Sequence, residues 1–159
     1  MYDRLVDEPR LTAWWSEHQG RPEPLPVLAV ARQALSGLYG VHFDSIGFNL
    51  YRDGDDSVAW HGDRHRRHLT DPIVAILSVG ARRPFLLRPK GGGPSTRFEP
   101  GEGDLLVMGG ACQHDWQHCV PKVRSAQPRL SITFRHGAVA PRTRSHRGAG
   151  VQPTGRIER

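Results

Sequence analysis

Hydrophobic and polar positions follow two different periods along this chain. From Leu25 to Gly40 the apolar residues recur at intervals of three and four, which predicts an amphipathic helix ended by the glycine, with a buried face of Leu28, Ala31, Leu35 and Leu38. Residues 46–51 alternate between apolar and polar, and 73–80 is a nearly continuous apolar run, which predicts a strand buried on both faces. At least seven short strands after one helix therefore predict a mainly β fold with helical backing.

The stretch His61-Gly62-Asp63 is the clearest candidate for chemistry. Alternate residues on an extended strand point to one side, so His61 and Asp63 can both aim at a single ion. A third ligand from a distant segment would complete the 2-His-1-carboxylate set that holds iron(II) with positions left open. His118 in QHDWQHCVP is the candidate for that ligand. A His-x-Asp pair alone is a weak signal, so the prediction depends on the rest of the chain.

The segment RLSITFR at 129–135 supplies that context. Its polar residues share one face of an alternating strand, with Arg129 and Arg135 at the two ends, while apolar residues share the other face. An inward face with two arginines requires an anion, and a small dicarboxylate near the metal would suit it. Asn49 and Tyr51 lie on the polar face of another apolar strand, where they could also be ordinary exposed residues.

Four blocks of the sequence together resemble the AlkB family of iron(II)- and 2-oxoglutarate-dependent nucleic-acid demethylases. They are, in order, FNLYRDGDDSVAWHGD, DPIVAILSVGARRPFLLR, GDLLVMGGACQHDWQHCVPK and PRLSITFR. The resemblance extends from about residue 8 to residue 136. It implies a double-stranded β-helix of the jelly-roll type. It also implies oxidative demethylation that uses iron(II), 2-oxoglutarate and O2 and releases succinate and formaldehyde.

The same resemblance assigns residues to the site. The iron ligands it implies are His61, Asp63 and His118, and the residues for 2-oxoglutarate are Asn49, Tyr51, Arg129, Ser131 and Arg135. Arg129, helped by Tyr51, would pair with the distal carboxylate, and Arg135 with Asn49 would support the end near the metal. Ser131 departs from the family, which usually has a co-substrate-binding asparagine there.

Recognition of the substrate is assigned to residues before and after the metal ligands. Adjacent Trp14 and Trp15 on an extended piece must point opposite ways, and from the residues alone both could cover core. The resemblance matches Trp15 to an aromatic that stacks on the extruded base, with the His61 ring opposite. Arg64 and His65 follow Asp63 where relatives often have an acidic residue that helps to recognise the base.

Composition and charge set the expected organisation of the chain. The 159 residues suit one domain, with residues 1–24 as an N-terminal arm and shortened nucleotide-recognition flap and 25–136 as the catalytic domain. The Gly-, Pro- and Arg-rich segment 137–159 is expected to be a basic, disordered tail. A net charge of +6 favours a polyanionic partner. With no signal peptide, disulfide framework or membrane span in the sequence, we expect a cytoplasmic monomer.

The predicted function is oxidative demethylation of N-alkylated bases, such as 1-methyladenine or 3-methylcytosine, in single-stranded or flipped positions of DNA or RNA. Two alternatives stay open: a related oxygenase that acts on a protein or small molecule, and a non-catalytic nucleic-acid-binding module. A zinc hydrolase with the same ligands is disfavoured, because no general base stands at HExxH spacing.

Overall fold

A computed structural model describes residues 9–63, 69 and 71–137 of the chain. Over these residues it contains strands and two helices, together with a short 3-10 turn at Glu17–Gln19. The strands are β1 (Leu11–Ser16), β2 (Ser45–Tyr51), β3 (Val58–His61), β4 (Val74–Gly80), β5 (Phe85–Pro89), β6 (Thr96–Phe98), β7 (Leu105–Met108), β8 (Trp116–Val120) and β9 (Arg129–Arg135), and the helices are α1 (Pro26–Tyr39) and α2 (Ala111–Asp115).

The strands form two antiparallel sheets. The larger has the order β1-β2-β9-β4-β7 and the smaller the order β3-β8-β5-β6. Strands that are distant in sequence are neighbours in both sheets, as in a jelly roll, where the chain crosses repeatedly between two layers. The prediction of a mainly β, jelly-roll fold with helical backing is confirmed.

Two apolar clusters stabilise these layers. One lies between the sheets and takes residues from both, including Val58 and Phe85 from the smaller sheet and Ile76 from the larger. The other lies on the opposite face of the larger sheet, where Phe134 packs with Leu28 of α1. Because side chains alternate along a strand, each strand of the larger sheet packs one set of residues on the helix side and the other set on the interior side.

Helix α1 begins at a proline in its first turn and ends before Gly40, whose φ of 65° places it in the left-handed region. Leu28 is buried, and Ala31 and Leu35 pack against the same cluster, as the periodicity predicts. The assignment of Leu38 to the buried face is wrong, because this side chain is 71% exposed. The last turn instead places Tyr39 against the core.

Strand β1 differs from the expected arm or flap. Leu11–Ser16 pairs along its whole length with β2 and forms one edge of the larger sheet. Its apolar alternation is too brief to distinguish an edge strand from a loop in the sequence. The sheet therefore begins before residue 25, the predicted start of the catalytic domain.

The tail beyond Gly137 lies outside the described residues. No helix in the described part of the chain is long and apolar enough to cross a membrane.

Candidate metal centre

The three predicted ligands converge at one end of the smaller sheet. His61 ends β3 and is directly opposite His118 of the neighbouring strand β8, so both side chains lie on the same face. Asp63 follows two residues after His61. One ligand atom from each of the three lies within 4.8 Å of the other two. Two imidazole nitrogens and one carboxylate oxygen are the donor set that suits non-haem iron(II), so the residues present fit this metal.

The protonation states of the histidines favour metal binding. Burial lowers the pKa of His118 to about 4, with His61 and Arg135 adding to the shift and Asp63 opposing it. His118 is therefore neutral near pH 7 and stacks on Phe85, with 5.2 Å between ring centroids. The Nδ1 atom of His61 lies 2.8 Å from the carbonyl oxygen of Ala59. Because a carbonyl can only accept, Nδ1 is the donor in this contact, and Nε2 is the ring nitrogen left for a metal.

Asp63 is held as a carboxylate by partners from two distant segments. Burial opposes its ionisation, but Arg135 and the two histidines more than offset that effect and lower the pKa of Asp63 to about 2. Arg135 donates from Nη2 to Oδ1 at 2.6 Å. The other oxygen, Oδ2, lies 3.9 Å from Nε2 of His118. The arrangement leaves Oδ2 on the side of the histidines, where a metal would bind.

Gln113 is a site residue that the sequence analysis missed. It lies in α2, is buried, and donates from Nε2 to Oδ2 of Asp63 at 3.5 Å and to the carbonyl of Met108 at 3.3 Å. The contact joins residues that are 50 positions apart in the chain. No spacing signal in the sequence pointed to it.

The predicted co-substrate residues form one wall, the co-substrate wall, of the interior between the two sheets, and Arg135 reaches Asp63 from this wall. Strand pairing places Tyr51 opposite Arg129 and Asn49 opposite Ser131, all on the interior face of the larger sheet. Arg129 is only 1% exposed and donates from Nη2 to Oγ of Ser78 at 2.7 Å, whereas its Nε has no hydrogen-bond partner among the described residues. A buried guanidinium with an unused donor suits a carboxylate ligand.

Two residues of this wall have partners within the chain. The Asn49 side-chain oxygen accepts a hydrogen bond from Nε of Arg10 at 3.0 Å. Ser131 is buried, and its hydroxyl lies 3.5 Å from that of Thr133. The alternation predicted for RLSITFR is confirmed, because Arg129, Ser131 and Arg135 share the interior face while Phe134 packs on the helix side.

The interpretation of Trp15 as a base-stacking ring disagrees with the structure. Trp15 is 6% exposed, packs in the cluster beneath α1 and donates from Nε1 to the carbonyl of Arg21. Its neighbour Trp14 lies on the interior face of the sheet, with its ring against Gly47 and 5.9 Å from the Arg135 guanidinium. The two rings point opposite ways as expected, but the one on the metal side is Trp14.

The remaining predicted substrate residues, Arg64 and His65, lie outside the described residues. The structure thus brings together the three ligands, Arg135 and the co-substrate wall. Trp15 stands on the far side of the larger sheet from this group.

Comparison with known proteins agrees with this geometry. The 2OG-Fe(II) oxygenase superfamily matches residues 12–135. The chain is 39% identical over 152 residues to the alpha-ketoglutarate-dependent dioxygenase alkB homolog 3 of Homo sapiens, covering 84% of this chain and 53% of the relative. It is 34% identical over 124 residues to the DNA oxidative demethylase ALKBH2 of Homo sapiens, covering 72% and 48%. The chain thus spans about half the length of these curated relatives.

Solved structures share the fold at low sequence identity. The structure of OsALKBH1 matches with a TM-score of 0.61 at 16% identity, covering 86% of this chain and 84% of that one. A Pseudomonas putida prolyl-4-hydroxylase matches with a TM-score of 0.58 at 19% identity, covering 81% and 72%. With the ligand set in place and the superfamily matched over most of the chain, this protein belongs to the 2OG-Fe(II) oxygenases and, among them, to the AlkB family.

Proposed function

We propose that the chain is an iron(II)- and 2-oxoglutarate-dependent dioxygenase that removes N-methyl groups from bases of DNA or RNA. One observation carries the proposal: Arg135, which contacts the cluster of His61, Asp63 and His118, shares the interior face of β9 with the buried arginine Arg129. A metal site next to a carboxylate site is the arrangement that an oxygenase with a dicarboxylate co-substrate requires. The name of one relative, the DNA oxidative demethylase ALKBH2, supports methylated nucleic acid as the substrate.

The residues of the chain divide the work between metal and co-substrate. Nε2 of His61, Oδ2 of Asp63 and Nε2 of His118 would hold iron, which leaves positions open for 2-oxoglutarate and O2. When bound, iron with these two co-substrates supplies the oxidising power that hydroxylates an N-methyl group, and the hydroxymethyl product releases formaldehyde. Arg135 fixes the orientation of Asp63 through its 2.6 Å hydrogen bond.

The co-substrate wall would orient 2-oxoglutarate. The unused Nε donor of Arg129 and the neighbouring Tyr51 ring lie deep in the cavity, where they would receive the distal carboxylate. The opposite end of the molecule would then face the metal ligands. Ser131 lies between Arg129 and Arg135 on β9, and we propose that its hydroxyl contributes a single hydrogen bond to the co-substrate.

The substrate base would approach from the side of Trp14. This half-buried ring lies on the same face of the sheet as Arg135, which contacts a metal ligand. Base stacking on an aromatic side chain tolerates any base and favours single-stranded or flipped nucleotides. The net charge of +6 would add phosphate attraction that falls as salt rises.

The test is formaldehyde release from methylated oligonucleotides. The protein, iron(II) and 2-oxoglutarate are incubated with single strands that carry 1-methyladenine or 3-methylcytosine, as DNA and as RNA. We expect formaldehyde and unmodified base in equal amounts from at least one strand, and none with the Asp63→Ala variant. A protein that binds metal and 2-oxoglutarate but leaves every methylated strand unchanged would contradict the substrate assignment and favour a protein or small-molecule substrate.

A further inference from the structure

Two buried arginines lie near the Tyr51 ring of the co-substrate wall. Arg83 and Arg129 are the largest fully buried side chains of the described residues, each 1% exposed. Neither forms an ion pair with a carboxylate within that part of the chain. Buried charges are normally paired, because removing them from water is costly. Two unpaired guanidinium groups in one place therefore indicate that an anion belongs there.

Arg83 has hydrogen-bond partners but no charged one. Its terminal nitrogens donate to three backbone carbonyls, those of Asp53 at 2.5 Å, Asp56 at 2.8 Å and Pro121 at 3.1 Å. Its Nε is buried and has no hydrogen-bond partner within the described part of the chain. The Asp56 carboxylate accepts hydrogen bonds from the side chain of Arg52, through both of its oxygens at 2.8 Å. The Asp56 carboxylate therefore acts on Arg83 through its charge alone, which partly offsets the effect of burial on the pKa of Arg83.

Tyr51 connects the two arginines. The guanidinium carbon of Arg83 lies 5.6 Å from the centre of the Tyr51 ring, and that of Arg129 lies 5.8 Å from it. Burial lowers the pKa of both arginines, and the charge of Arg83 lowers that of Arg129 further. The positive charge of Arg83 thus makes that of Arg129 less favourable, and a bound anion would offset this effect.

We propose that Arg83 is a positioning residue for the co-substrate, which holds the Tyr51 ring in place and adds a second buried positive charge that selects a ligand with a distal carboxylate. The inference rests on the proposed function, because it takes 2-oxoglutarate as the occupant. Arg129 makes the direct contact. Arg83 acts through Tyr51 and through its charge, since its terminal nitrogens already donate to backbone carbonyls.

The experiment compares two ligands that differ only in the distal group. Manganese(II)-loaded protein is titrated calorimetrically with 2-oxoglutarate and with 2-oxobutyrate, which has the same 2-oxo acid end but no second carboxylate. The variants are Arg83→Gln and Arg83→Met, which are neutral, and Arg83→Lys, which keeps the charge. Arg82→Gln is the matched control, because Arg82 is the adjacent residue and is exposed. Melting curves establish which variants fold, and Arg83→Met fills the buried space without a polar group to satisfy.

We expect the neutral variants to bind 2-oxoglutarate about tenfold more weakly than the wild type, equivalent to about 1.4 kcal/mol. Their affinity for 2-oxobutyrate should change less than about twofold. Arg83→Lys should retain most of the preference for 2-oxoglutarate over 2-oxobutyrate, and Arg82→Gln should bind both ligands like the wild type. Equal losses of affinity for both ligands, or equal losses in the lysine and the neutral variants, would overturn the inference. Arg83 would then serve only to join loops through its hydrogen bonds to backbone carbonyls. A wild type that binds neither ligand would overturn the proposed function as well.

Discussion

Arg135 offers a quantitative test of how the metal carboxylate is held. The Asp63 side chain is almost fully buried, and its strongest hydrogen bond comes from Arg135 at 2.6 Å. In Arg135→Gln, the contacts that remain to that buried carboxylate among the described residues are long: Gln113 at 3.5 Å and His118 at 3.9 Å. Its folded-state pKa, now about 2, would then rise, since burial opposes ionisation.

The magnitude follows from the pKa of Asp63. A fall from the ordinary 3.8 to about 2 corresponds to roughly 2 kcal/mol of folding stability at neutral pH, at about 1.4 kcal/mol for each factor of ten. Removing one partner of a fully buried ion pair costs about 3–5 kcal/mol. The Arg135 side chain is 19% exposed, so its loss should cost less than the loss of a partner in a fully buried ion pair. We therefore expect Arg135→Gln to lose roughly 2 kcal/mol at pH 7.

The sign of the pH dependence is specific. A carboxyl group with a lowered pKa in the folded state stabilises the fold above its unfolded pKa and loses that contribution as pH falls through the folded value. Urea unfolding of the metal-free protein should thus show a difference between wild type and Arg135→Gln at pH 7 that shrinks to about half at pH 3. Arg97→Gln, which breaks an exposed ion pair with Glu99, should change stability by less than about 1 kcal/mol. A difference below about 0.5 kcal/mol at pH 7, or one that does not depend on pH, would refute the reasoning.

Three further experiments test the packing of the two tryptophans, the space at Gly47 and the ligand role of His118. Trp15→Ala should lower the free energy of unfolding by about 3–5 kcal/mol because the ring is in the core. Trp14→Ala should mainly weaken binding of a methylated strand in a fluorescence titration. The reverse pattern would restore Trp15 as the stacking ring. Gly47→Ala should weaken manganese(II) binding about tenfold. A Cβ there would lie 3.1 Å from Nη1 of Arg135, which holds Asp63, and 3.3 Å from Trp14. The control Gly37→Ala, whose Cβ would have nothing within 4 Å, should bind manganese(II) like the wild type. His118→Ala should lower metal affinity by at least about 100-fold while the chain stays folded; retained affinity in an equilibrium dialysis measurement would remove His118 from the ligand set.

Much of the interior face of this fold could be predicted from the sequence. Alternation along a strand has a fixed period, so RLSITFR necessarily places Arg129 and Arg135 on one side and Phe134 on the other. The three ligands were also predictable, since the His-x-Asp spacing and the late histidine stand in the same order as in the related family.

The sequence could not decide between the two tryptophans. Trp14 and Trp15 alternate on any strand, but which of them faces the core depends on the pairing of β1 with β2, where Gly47 leaves room for a ring. Matching by resemblance selected Trp15, and the structure places that residue beneath the helix.

Other features depend on contacts between remote segments. Gln113 reaches Asp63 across 50 positions, and Arg83 reaches Pro121 across 38. A glutamine in a short helix and an arginine in a loop are usually exposed, so no local pattern predicts their burial. Leu38 shows the converse: its helical spacing matched the apolar face, but the last turn of the helix extends past the core.

The central claim is that one metal ion binds between His61, Asp63 and His118 and opens onto the cavity of Arg129. Anomalous diffraction from crystals grown with manganese(II) and 2-oxoglutarate tests it most directly. We expect a single strong peak within bonding distance of Nε2 of His61, Oδ2 of Asp63 and Nε2 of His118, and the distal carboxylate of 2-oxoglutarate on the Arg129 guanidinium. A peak that leaves out any of the three ligands, or a distal carboxylate that lies away from Arg129, would contradict the account.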